Sequence, residues 1–191
     1  MQNTRLKQVF NDPEFSKEEL QKIEGLLQEV QLKKGELLLS KGQTVLFTHF
    51  VCSGCLRTFY IDDSGKEHTL QFAVKNWWIS DYSAFFNTGV SVMNIECIQE
   101  ATIYKLSRKD MLQLYTDMPK FETFFRKKLE KRFMALQKRV LNNLALTAKE
   151  RYLDFIKTYP NIEQNVKNYH IASFLGITTE SLSRIRKEIA G

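Results

Sequence analysis

The sequence is poor in the residues that build metal and redox centres. It holds three cysteines, Cys52, Cys55 and Cys97, and three histidines, His49, His68 and His170, in 191 residues. An odd, low cysteine count argues for reduced thiols rather than a disulfide framework. Cys52 and Cys55 form a C-x-x-C pair, but it straddles an expected strand turn with no second pair nearby, so structural cysteines are expected. The histidines show no ligand spacing, and no metal or cofactor is expected. The opening residues carry no apolar h-region, so no secretory signal is expected. No window approaches the ~18 uncharged apolar residues of a membrane span. The expected location is therefore the cytoplasm. A Walker loop, a nucleophile elbow and readable paired carboxylates are also missing, and no enzymatic activity is expected.

What is present is an uneven charge. The net charge is +6. Residues 1–119 hold 13 basic against 15 acidic side chains, residues 120–151 hold 10 against 3, and residues 152–191 hold 5 against 4. The excess thus sits in one segment, either as a phosphate-contacting block or as a solvated helix face.

Four zones follow one another. Ser16-x-x-Glu19 has the form of a capping box, and Leu20, Ile23, Leu26, Leu27 and Val30 follow at helical spacing. Residues 31–105 alternate short strand runs with turns: 36–40, 48–52, 56–61, 68–74, 94–98 and 102–106. Turns are expected at Lys41-Gly42-Gln43, at Ser53-Gly54 and at Asp62–Gly65. Such spacing predicts an antiparallel barrel or double-sheet roll. Residues 109–146 are helical and split by Pro119. Beyond it, Phe121, Phe125, Leu129, Phe133, Leu136, Val140 and Leu144 form one apolar stripe, roughly 35 Å long at 1.5 Å per residue. Lys127, Lys128, Lys131 and Arg132 flank it. A helix of this kind after a β domain predicts a two-fold dimer contact, the alternative being packing on its own chain. Thr147-x-x-Glu150 opens a last, small helical unit, whose first helix is expected to stop at Tyr159-Pro160-Asn161.

The most informative segment is 168–191. Ile171, Ala172 and Leu175 give a short helix its apolar face, and the small Ala172 lets a second helix cross closely. Gly176 tolerates the positive φ of a tight turn, Ile177 plugs the corner, and Thr178 caps the next helix. There Leu182, Ile185 and Ile189 are expected to point inward, with Glu180, Ser183, Arg184 and Lys187 on the opposite face. An apolar stripe that anchors and a polar stripe that reads are what a recognition helix in a major groove needs. Arg184 can fork onto guanine and Glu180 can accept from cytosine, with Ser183 assisting. Thr178, Thr179, Ser181, Arg186 and Lys187 are expected to fix the helix on the phosphate backbone. The alternative is an ordinary helical hairpin with a solvated face.

With its K-K-G-E and F-V-C-S-G-C-L-R runs, its long helix and its terminal E-S-L-S-R run at Glu180–Arg184, the chain resembles the Crp/Fnr family of bacterial regulators. The resemblance implies an α+β fold. An antiparallel β roll (a double-stranded β-helix like those that bind cyclic nucleotides) would span residues 1–119, a long dimerisation helix 120–146 and a helix-turn-helix domain 147–191. It implies a homodimer on double-stranded DNA with TTGAT-like half-sites. RNA polymerase and an unidentified small-molecule effector are the further partners it allows. Three departures stand out. The family's Gly-Glu and Arg-Ser or Arg-Thr pairs for cyclic nucleotide fall on Ser80-Asp81 and Ser91-Val92, so the phosphate arginine is absent and cyclic AMP is not expected. These four residues are the effector-pocket candidates. No cysteine precedes Cys52, which leaves no N-terminal iron–sulfur cluster, and no counterpart of the family's wing hairpin follows the second helix. Trp77, Trp78, Tyr82, Phe85 and Phe86 could line an apolar pocket or serve as packing. Two other readings are weighed: a small-molecule sensor whose output is mainly protein contact, and a cupin-like enzyme, against which the scattered histidines speak.

Overall fold

The computed structural model describes Phe10, residues 15–160 and residues 162–190. The first capping box forms: Glu19 N–H donates to Ser16 Oγ at 3.3 Å and Ser16 N–H to the Glu19 carboxylate at 2.6 Å, starting helix α1 (Lys17–Leu26). The strands are β1 (Gln28–Leu32), β2 (Leu37–Leu39), β3 (Phe47–Ile61), β4 (Glu67–Ala73), β5 (Trp78–Ile79) and β6 (Asn94–Ser107), with the short helix α2 (Tyr82–Asn87) between β5 and β6. They make one six-stranded sheet in the order β1-β6-β3-β4, with β2 on β6 and β5 on β3. The β1–β6 and β2–β6 pairs are antiparallel, with Gln28 opposite Lys105, Leu32 opposite Ala101 and Leu37 opposite Glu96. Helices α3 (Arg108–Asp117) and α4 (Pro119–Ala145) follow. Pro119 opens α4, where its missing N–H costs no hydrogen bond. Helix α5 (Ala148–Thr158) begins at the second capping box, Thr147 with Glu150, at 3.3 and 2.8 Å. It ends at Tyr159, while Asn161, part of the stop expected there, lies outside the described residues. Helices α6 (Asn168–Leu175) and α7 (Thr179–Ala190) close the chain. The α+β class and the strand-then-long-helix order are as the sequence implies.

One expected break is absent. Ser53-Gly54 is not a turn, because β3 runs through it without interruption. Gly54 has φ +84, and a Cβ there would lie 2.2 Å from the Glu100 carbonyl oxygen, so the glycine admits a close crossing of β6 rather than a reversal. The runs at 94–98 and 102–106 likewise fuse into the single strand β6.

The chain divides into two compact units, Met1–Thr58 with Phe72–Lys128, and Phe59–Gln71 with Leu129–Gly191. In the first, Trp78 packs edge-on against Phe50 and Phe125 at 5.4 and 5.3 Å, and Tyr82 stacks on Phe86, so the aromatic cluster is packing around the start of α4. In the second, Phe174 sits between Phe155 and Tyr159 at 5.3 and 5.8 Å, above the buried Ile171, Leu175, Leu182 and Ile185. No helix among the described residues is long and apolar enough to cross a membrane.

Candidate nucleic-acid interface

Helix α6 ends on Gly176 in the left-handed region, φ 66 and ψ 36. Its N–H reaches the Ala172 and Ser173 carbonyls, and Ile177 N–H reaches Ala172 O at 3.0 Å. These bonds close the end of the helix and reverse the chain. Thr178 then caps α7, its Oγ1 accepting from Ser181 N–H at 3.2 Å and its carbonyl from Leu182 N–H at 3.0 Å. Leu182 and Ile185 are buried against Ile171, Ala172 and Leu175, all at 7% exposure or less. Ile189 is not an anchor: it is 40% exposed, because the last turn of α7 extends past the packing of α6. Ile177 is half-buried at the corner.

The outer face of α7 carries Glu180, Ser183, Arg184 and Lys187, all exposed. Their internal bonds are local. Thr179 donates to Glu180 at 3.1 Å, and Arg184 reaches Ser181 Oγ at 3.4 Å. The Glu180 carboxyl is held below its ordinary value first by its own backbone N–H, then by the Thr178 and Thr179 hydroxyls. It is therefore an anion with free acceptor capacity beside the cationic Arg184. Thr178, Thr179 and Ser181 cluster at the helix start.

Arg186 differs from its neighbours. Its guanidinium bonds Tyr152 Oη at 3.2 Å, Asn168 Oδ1 at 2.6 Å and Glu163 Oε1 at 3.1 Å. It braces α7 onto α5 and the start of α6, and three of its five N–H donors are engaged within the unit. Several basic side chains on α4 also have partners within their own unit. Lys120 pairs with Glu19, Lys138 with Asp154 at 2.7 Å, Lys128 lies over Phe124, and Arg132 bonds Gln71. Arg139, which carried no sequence signal of its own, bonds the carbonyls of Leu70, Thr69 and Phe174.

The four effector-pocket candidates come together around Asp81, which is 1% exposed. Its carboxylate accepts from Ala84 N–H at 3.2 Å, capping α2, from Ser91 Oγ at 2.9 Å and from Val92 N–H at 3.3 Å. Val92 takes part through its amide alone, its side chain being 57% exposed. Ser80 donates to Phe47 O at 2.9 Å. Elsewhere in the roll, burial is the main cause that brings His49 down to about 4, and the charge of Lys105 works in the same direction. Burial pushes the Cys55 and Cys97 thiols up to about 12 and 11, so both are inert thiols under ordinary conditions. All three cysteines are reduced thiols, and no group of three metal-ligating side chains occurs among the described residues.

The comparisons with known proteins bear on both parts. Residues 29–117 match the profile of the cyclic nucleotide-binding domain. Over most of its length the chain superimposes on solved structures. The c-di-GMP responsive global regulator CLP of Xanthomonas campestris gives a TM-score of 0.73 at 13% identity, covering 90% of each chain. FixK2 of Bradyrhizobium japonicum gives 0.74 at 14% identity, over 86% of this chain and 84% of that one. A protein of Eubacterium rectale assigned to the Crp/Fnr family of transcriptional regulators gives 0.72 at 18%, over 95% and 86%. No curated protein matches the sequence. The chain therefore has the fold of the Crp/Fnr regulators, the class its sequence resembles. The match to the cyclic nucleotide-binding domain lies within the strand-rich part of that fold, from β1 to α3.

Proposed function

We propose that this chain is a sequence-specific DNA-binding transcription regulator of the Crp/Fnr type, acting in the cytoplasm as a homodimer on a palindromic site and not responding to cyclic AMP. The observation that carries the reading is the division of α7. Leu182 and Ile185 are buried, while Glu180, Ser183, Arg184 and Lys187 stand in solvent on the far side, on a helix set by the Gly176 turn. Arg184 and Glu180 read base edges, Ser183 assists, and Lys187 with Thr178, Thr179 and Ser181 holds phosphate. The labour divides as a roll (1–119), a dimerisation helix (120–146) and a reading domain (147–191).

The dimer rests on the second half of the α4 stripe. Phe121 and Phe125 are fully buried within their own unit, but Phe133, Leu136, Val140 and Leu144 are 68, 57, 51 and 81% exposed. An apolar stripe at spacings of three and four residues, bare along a single helix, matches a second copy of itself about a two-fold axis.

The domain model that residues 29–117 match implies a cyclic nucleotide, and the residues at the candidate effector cassette, Ser80-Asp81 with Ser91-Val92, do not fit one. Where a cyclic phosphate would need a cation and N–H donors, this chain has a buried carboxylate that already takes the Ser91 hydroxyl and the Val92 and Ala84 amides. A second anion there would meet repulsion and have to displace three bonds. The same argument runs against a c-di-GMP phosphate at this cassette, although the X. campestris regulator is c-di-GMP responsive.

The test is Arg184→Ala, titrated against a duplex with an inverted TTGAT-like repeat and against random duplex. The expected loss is ~1–3 kcal/mol on the specific duplex with relaxed base preference. An equal loss on every sequence would remove Arg184 from the base-reading role.

A further inference from the structure

The β3–β4 hairpin, Phe59–Gln71, falls in the same compact unit as the helix-turn-helix, although it lies far from it in sequence. Two side chains make that association specific. The Ser173 hydroxyl, in the last turn of α6, donates to Glu67 O at 2.8 Å and accepts from Thr69 N–H at 2.8 Å. One hydroxyl thus bonds a carbonyl and an amide of the same strand, two residues apart. A two-point bond of this kind fixes the roll of α6 about its axis, where a single bond would leave it free to swivel. Arg139, on α4, completes the joint. Its guanidinium bonds Leu70 O and Thr69 O on the hairpin and Phe174 O on α6, and it lies 4.0 Å from the centre of the Phe174 ring. The end of a helix leaves several carbonyls without partners. At α6 the Gly176 and Ile177 amides take those of Ala172 and Ser173, and Arg139 takes that of Phe174. A cation at a helix C-terminus is also favoured by the dipole. Two turns earlier on α4, Arg132 reaches Gln71 of the same hairpin.

We infer that the hairpin is the mount that orients the recognition helix, with Ser173 and Arg139 as its positioning residues. The inference rests on the DNA-reading assignment of α7. Neither residue lies on the polar face of α7, and both bond backbone groups of their own unit. They act through α6 and the Gly176 turn, which set the angle at which α7 is presented.

The experiment uses the full chain with Ser173→Ala, and with Arg139→Met, which keeps a long side chain over Phe174 but removes every donor. Affinity is measured for the inverted TTGAT-like repeat and for random duplex across a salt series, and amide exchange is followed at Thr69, Gly176 and Ile177. For each variant the expected result is about tenfold weaker binding to the specific duplex, the equivalent of one or two hydrogen bonds. Random-duplex affinity and the salt slope should be unchanged, since no phosphate contact is lost. Exchange should quicken at Thr69 and at the two turn amides together. Unchanged specific affinity in a protein that does read the repeat would overturn the mount, as would an equal loss on both duplexes. If the wild-type chain shows no preference for the repeat, the DNA-reading assignment is what fails. The exchange data then decide the mount alone: quickened Thr69 with unchanged Gly176 and Ile177 overturns it.

Discussion

Two sets of polar side chains in this chain meet opposite fates. In the roll, Asp81, Ser91, Ser80 and His49 are all less than 9% exposed, and the bonds of the first three run to their own chain. On α7, Glu180, Ser183, Arg184 and Lys187 stand in solvent, with only short local bonds among hydroxyl, carboxylate and guanidinium. Buried polar groups must be satisfied inside the fold, and once satisfied they have little left for a ligand. Exposed ones are satisfied by water, which a partner can displace at small cost. The Asp81 carboxylate in the roll is thus occupied by donors of its own chain, and the helix face is open. The long helix repeats the contrast along its length. Its first apolar residues are consumed within one unit, and those beyond Leu129 are bare.

The comparison can be broken at several points. The largest effect is expected from Leu136→Glu, which puts a charge in the middle of the bare stripe. Splitting a two-site dimer removes the gain of linked binding, ~100-fold or more on a palindromic duplex. Sedimentation should show monomer, and a variant that remains dimeric with full affinity would remove the stripe from the interface. Next is Asp81→Ala, which deletes the cap of α2 and leaves the Ser91 and Val92 donors without their acceptor. The expected loss in urea denaturation is about 2–3 kcal/mol. A neutral result would mean that the carboxylate is not the keystone of the cassette.

His49 gives a pH dependence of known sign. Its folded pKa of about 4 lies below the ordinary 6.5, so the unfolded chain takes up a proton that the folded chain refuses. Its contribution is complete above pH 6.5 and is lost as pH falls toward 4. Between pH 7 and pH 5 the loss should be about 2 kcal/mol, and His49→Phe should flatten it. The smallest effect belongs to Lys187→Ala, a roughly few-fold weakening that is uniform across sequences, with the salt slope reduced by about 1. A sequence-dependent loss would move Lys187 into the base-reading set.

The elements legible in the sequence were those whose signal is local. Both capping boxes, Ser16 with Glu19 and Thr147 with Glu150, depend on residues three apart, and both formed. The Ala172, Gly176, Leu182 and Ile185 register lies within 14 residues, and the helix pair follows it, except at Ile189, where the last turn outruns its neighbour. Ser53-Gly54 misled because glycine serves close crossings as well as turns, and only the Glu100 backbone on a distant strand distinguishes the two. The basic segment shows the same limit: charge is visible in composition, but the distant acceptors on Gln71, Asp154, Leu70, Thr69 and Phe174 that Arg132, Lys138 and Arg139 bond are not. Ser173 bonds residues 104 and 106 positions away, and no periodicity within α6 points to them. At Ser80-Asp81 and Ser91-Val92 the missing arginine and the added carboxylate are both legible in the sequence, but the bonds from the Ser91 hydroxyl and the Val92 amide to Asp81 are not, because they join residues ten and eleven positions apart.

The most direct measurement is a titration of the purified full chain, without added ligand and at physiological salt, against an inverted TTGAT-like repeat and a scrambled duplex of the same composition. A closed cassette and an open helix face together predict tight, selective binding with no effector, and no change on adding cyclic AMP. Equal affinity for the two duplexes would contradict the reading face of α7. Selectivity that appears only with cyclic AMP would contradict the closure of the cassette by Asp81.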